Sequence, residues 1–148
     1  MQTILPLINI VVPFINIVGV LLIIVAALGA RASVCSQIYS RWQSLLFKTS
    51  DIKDAYNTLA TTAYEEGKRS EAHYIAVGHL NLFEEAYLYR KSRFLIFGRL
   101  LPNRFWISIQ ISMKKHFKDW KYLRTFWQIE RSSYSEDFNK FIEQEIIS

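Results

Sequence analysis

Charge is absent where the chain begins: none of its 18 Lys and Arg or 13 Asp and Glu residues falls within residues 1–30 of 148. That excludes an ordinary soluble domain, whose surface elements carry charge on the wet face. Cysteine is nearly absent too. Cys35 stands alone, so no intrachain disulfide can form, which agrees with a reducing compartment. Glycine is sparse beyond the opening stretch, with only Gly67, Gly78 and Gly98 after residue 30. No Walker loop, Rossmann glycine pattern, nucleophile elbow or His-Glu-x-x-His occurs. His73 and His79 are six residues apart on different sides of a helix, and His116 is remote in sequence, so no local metal chelate is expected. These absences lead to the expectation of a non-enzymatic protein with no cofactor and no metal.

What fills the first 30 residues is apolar. The run Ile4 to Leu28 would be ~37 Å long as a helix, against a hydrocarbon core of ~30 Å. Ala30-Arg31-Ala32 imitates a signal-peptide cleavage site, but no basic residue precedes it and the apolar run exceeds the usual ~7 to 15 residues. Residues 1–30 are therefore expected to be a retained single-pass anchor. Arg31, Arg41 and Lys48 follow it, which places the N-terminus outside and the C-terminal part in the cytoplasm. Pro6-Leu-Ile-Asn-Ile-Val-Val12 is followed directly by Pro13-Phe-Ile-Asn-Ile-Val-Gly19, a repeat that sets Asn9 and Asn16 on one helix face. An amide in hydrocarbon needs a hydrogen-bonding partner, and a second copy of the span would supply one. Alternatively, Pro13 begins the span and Asn9 sits among headgroups.

The remaining 118 residues are enough for one modest core. Val34, Ile38, Trp42 and Leu45 or Leu46 predict a juxtamembrane helix over 31–48. Ser50 with Asp51 predicts an N-cap for a helix that Gly67 closes, and Ser70 with Glu71 opens one running to about Lys91. Pro102 suits the start of a helix with Trp106, Ile109, Met113, Phe117 and Trp120 on one stripe, although Ile107, Ile109 and Ile111 also alternate as a strand would. A turn near Asp119, a helix carrying Leu123 and Phe126 or Trp127, and a last helix capped by Ser135 complete the pattern. The fold expected is all-α: a transmembrane helix followed by a cytosolic helical bundle over 49–148.

Charge then concentrates. Residues 90–124 carry ten basic side chains against Asp119 alone. Arg93, Arg99, Arg104, Lys114, Lys115, Lys118 and Lys121 are candidates to face an anion. A tethered domain lies close to the anionic leaflet, and Phe94, Phe97, Phe105 and Trp106 among the charges suit an interface, so membrane lipid is the first partner expected. Nucleotide or nucleic acid is the alternative, without a zinc-ligand set, RNP signature or Gly-x-x-Gly loop to support it. Asn81, Glu84 and Glu85 share a helix face with no basic residue three or four positions away. An ion-pair network with Arg124 or Arg131 is the expected solution.

The residues Leu80-Asn-Leu-Phe-Glu-Glu-Ala-Tyr-Leu-Tyr-Arg90, then Trp106, Phe126-Trp127, Arg131, Tyr134, Asp137-Phe138 and Phe141-Ile142, resemble a loosely defined group of short bacterial proteins. That group has one N-terminal span and a helical cytosolic domain of unknown function. The resemblance covers about Gly78 to Ile142. It implies a bacterial setting and an Asn/Glu-bearing helix packed on two Trp-bearing helices, and it carries no catalytic residue. The function expected from residues and resemblance together is an adaptor, assembly subunit or regulator that self-associates through its span. A membrane effector sensing an anionic ligand such as a signalling nucleotide is the alternative.

Overall fold

The computed structural model describes residues 4–51, 53–67, 71–93 and 98–148, and the side chains of 13–49, 57–66, 71–93 and 98–148. It is all-α: among the described residues there is no strand. The elements are α1 (Ile4–Asp51), α2 (Lys53–Thr61), α3 (Tyr64–Gly67), α4 (Glu71–Lys91), α5 (Asn103–Asp119), α6 (Lys121–Glu130) and α7 (Glu136–Phe141). A 3-10 turn (Arg131–Ser133) leads into α7, which widens into a π-helical turn (Ile142–Ile147). The side chains of Asn9 and Ser50, and residues Ser70, Phe94 and Phe97, lie outside what is described.

One helix does two jobs. Over its 48 residues α1 would extend ~72 Å. Its apolar part is long and apolar enough to cross a membrane, with a mean hydropathy of 2.5, and Phe14, Ile17, Leu22 and Val25 are exposed along it. Beyond Arg31 the same helix packs on α4 through Val34, Ile38, Trp42 and Leu45, while Leu46 faces outward. The break expected after Lys48 does not occur. Thr49 is buried, its hydroxyl donates to the Leu45 carbonyl at 2.7 Å, and the helix passes through Ser50 to Asp51. Tertiary packing on this face outweighs the local N-cap signal. The 31–48 helix thus continues the apolar part of α1 and packs into the domain core.

The central helix is α4, which buries Ala72, Ile75, Ala76, His79, Leu80, Leu82, Phe83 and Ala86 against α1, α2 and α5. It runs antiparallel to α1. Gly78 meets Leu45 so closely that a β-carbon there would lie 2.9 Å from the leucine's terminal methyl, and Arg41 pairs with Glu85 further along. α5 buries Trp106, Ile109, Met113 and Phe117, and Trp120 just past its end is buried too, whereas Ile107 and Ile111 are 54% and 64% exposed, so the helical period decides over the alternating one. The helix predicted from Ser50 to Gly67 is interrupted at Thr62 and Ala63, where the chain turns so that the Tyr64 N–H donates to Thr125 Oγ1 at 2.9 Å. Pro102 is the extended residue just before α5 rather than its first helical one.

Candidate functional site

Between α4 and α5, the described residues on either side of 94–97 are brought together. Arg93 pairs with Arg99 in an isolated antiparallel bridge, and the Leu100 N–H donates to the Ser92 carbonyl at 3.2 Å. Gly98 adopts φ +81°, a conformation side-chain-bearing residues avoid, and thereby brings Arg99 back opposite Arg93. Both arginines line one groove.

Because α4 is antiparallel to α1, this bridge sits at the level where the exposed apolar part of α1 ends. Arg31 is the first charge after that part. It lines a groove of about 540 Å³ together with Arg90, Gly98, Arg99, Leu101, Pro102 and Asn103. Among the described residues, three guanidinium-bearing side chains line this groove and no carboxylate does. Arg90 is fixed: its guanidinium donates to the Leu101 carbonyl at 3.0 Å and to Asn103 Oδ1, while its Nε is buried without a partner. Burial, then the nearby Arg99, draws Arg90 below its ordinary value. A second groove of about 410 Å³ shares Arg90 and Arg99, adds Lys91 and Arg93, and is floored by Tyr87, Trp106 and Phe141 with Glu145 at its edge. Its Tyr87 and Phe141 rings stack at 4.9 Å.

The basic segment of the sequence is divided by this geometry. Arg93 and Arg99 belong to the grooves, and Arg104 is exposed in the adjoining first turn of α5. Lys114, Lys115 and Lys118 are exposed near the other end of α5, and Lys121 is exposed at the start of α6. The ~21 Å of helix between Arg104 and Lys118 separates the two groups, since α5 runs antiparallel to α4 and away from Arg31. The single anion-facing set of seven expected from the sequence is two separate sets. Phe105 and Trp106 are packed against the core, with Trp106 buried.

The expected network of Glu84 and Glu85 with Arg124 or Arg131 does not form either. Glu85 pairs with Arg41 of α1, and Glu84 Oε1 accepts the Ser135 N–H at 2.8 Å, serving the entry of α7. Asn81 Oδ1 accepts from the Tyr134 hydroxyl at 3.3 Å. Arg124 donates to the Phe117 and Lys118 carbonyls, satisfying orphan acceptors where α5 ends. Arg131 pairs with Glu143. These acids and bases are used to dock termini, a task for which sequence spacing carries no signal.

One cluster escaped sequence reasoning. His79 and His116, 37 positions apart, lie with ring centroids 4.9 Å apart, and Trp120 meets both edge-on at 5.0 and 4.2 Å. Each Nδ1 is within hydrogen-bond distance of the carbonyl four residues earlier, Ile75 at 2.8 Å and Ser112 at 2.6 Å. A carbonyl only accepts, so Nδ1 carries the proton in both rings, and His79 Nε2 is left buried without a partner. Among the described residues no three His, Cys, Asp or Glu side chains are grouped to hold a metal. Comparisons with family models, curated proteins and solved structures found no match to this chain.

Proposed function

We propose that this chain is a single-span membrane protein, N-terminus outside, whose cytoplasmic helical domain works as an assembly subunit or adaptor and not as an enzyme. The observation that carries the reading is the continuity of α1, exposed and apolar before Arg31 and buried against α4 after it. Cleavage at Ala30-Arg31-Ala32 would cut this helix in mid-course. A rigid link of this kind transmits any rotation or association of the span directly to Trp42, Phe83 and the core behind them. Asn16 is exposed within the apolar part, so a second span is the partner its amide calls for. The bacterial setting implied by the resemblance fits a small tethered subunit of this type.

The effector reading is less well supported, because Lys114, Lys115, Lys118 and Lys121 line neither groove beside Arg31. Cross-linking of the full chain in mild detergent tests self-association. Dimers or higher forms should be trapped with wild type and should fall several-fold with Asn9→Leu/Asn16→Leu, given ~0.6 to 2 kcal/mol per interhelical bond. Equal yields from the two proteins would remove the asparagine face from the account.

A further inference from the structure

We infer that the groove between Arg31, Arg90 and Arg99 binds the phosphate of an anionic phospholipid drawn from the leaflet at which α1 emerges. The inference rests on the membrane-spanning reading above and adds to it a ligand and a place. Arg31 stands one turn beyond Leu28, which is exposed on the apolar part of α1, so the groove opens at headgroup depth when that part is in a bilayer. Guanidinium groups recognise phosphate oxygens through paired N–H donors and keep their charge at any physiological pH. Three of them line the groove, among the described residues without a carboxylate beside them, and Arg90 is already oriented by Leu101 and Asn103. Arg93, bridged to Arg99 through the backbone, lines the adjoining groove. An arrangement with this much uncompensated like charge is stabilised by a bound anion, and the anion in reach is the lipid headgroup. Aromatic residues Tyr87, Trp106 and Phe141 floor the adjoining groove, giving the glycerol and upper acyl region of the same lipid an apolar wall.

Native mass spectrometry of the full chain released from detergent provides the test, with phosphatidylglycerol and phosphatidylcholine as probes. The first phosphatidylglycerol should bind about tenfold or more tightly than phosphatidylcholine. Arg31→Gln/Arg99→Gln should weaken the anionic lipid by a similar factor and leave the zwitterionic one unchanged. Arg31→Lys/Arg99→Lys should retain most of the preference, and Lys114→Gln/Lys118→Gln all of it. Arg90 is left intact because it also holds the Leu101 carbonyl and the Asn103 side chain. Equal binding of the two lipids, equal loss from the lysine pair, or displacement of the lipid by ATP or inorganic phosphate at comparable concentration would each overturn the inference. Resistance of the chain to carbonate extraction separates the two levels. A chain that resists extraction yet shows no lipid preference defeats the groove alone, whereas an extracted chain defeats the spanning reading beneath it.

Discussion

Phe83→Ala should destabilise the helical domain by about 3–5 kcal/mol, the usual effect of truncating a fully buried phenylalanine. Phe83 has no exposed surface and is the point where three helices meet. Its ring lies 6.0 Å from Trp42 of α1, 6.0 Å from His79 of its own helix and 5.8 Å from His116 of α5, each near edge-to-face. Removing it takes apolar area out of the core and leaves a void between rigid rings that cannot collapse inward, so both the transfer and the cavity contributions are lost. Domains of this size are stable by only ~5–15 kcal/mol, so the change is a large fraction of the whole. Urea unfolding of the detergent-solubilised chain, followed by helical circular dichroism, measures it. Tyr74→Ala is the control, since Tyr74 is 73% exposed on the same helix and its loss should move the midpoint little. A Phe83→Ala midpoint equal to that control would contradict the three-helix junction.

Acidification should weaken the domain through the same region. Burial, then the neighbouring His116, pushes the His79 imidazole down to about 4, against the opposing hydrogen bond to Ile75. Burial also lowers His116, helped by Lys115 and opposed by the Ser112 carbonyl and Asp119. In the unfolded chain both titrate near the ordinary histidine value of ~6.5. The folded state therefore binds fewer protons than the unfolded state between these limits. Stability from His79 is fully present above pH ~6.5, declines as pH falls toward 4 and changes no further below that, a loss on the order of 3 kcal/mol. Midpoints of urea unfolding from pH 7.5 to 4.5 should fall steeply in wild type and less steeply in His79→Met, which keeps an apolar side chain in the site. Parallel pH slopes would place the acid sensitivity elsewhere.

The elements that were legible in the sequence are those whose signal is local. The stripe Trp106, Ile109, Met113, Phe117, Trp120 has a helical period, and the structure buries all five. Ser135 marks the start of α7, although the capping acceptor comes from Glu84 of α4 and not from the serine side chain. Ser50 shows the opposite case, a sound local N-cap signal overridden as α1 runs on through it with Leu45 packed against the core and Thr49 buried. The partners of Glu85, Arg124 and Arg131 depend on which helices become neighbours, and a single sequence does not contain that information. The same holds for His79 and His116, and for the split of one basic run into a groove-lining set and a distant lysine set. The pairing of Arg93 with Arg99 beside Arg31 required the antiparallel order of α1, α4 and α5.

The helix long and apolar enough to cross a membrane is also a core helix of the domain, so under the proposed spanning reading the domain's orientation to the bilayer is set by the rod it is built around. Cysteine accessibility in intact cells tests this most directly. In a Cys35→Ser background, a membrane-impermeant maleimide is applied from outside and, in inverted vesicles, from the cytoplasmic side to Leu22→Cys and Ser40→Cys, both exposed on α1. The account predicts that Leu22→Cys is protected from both sides and that Ser40→Cys reacts only from the cytoplasmic side. Labelling of Leu22→Cys from either side, or of Ser40→Cys from outside, would contradict it.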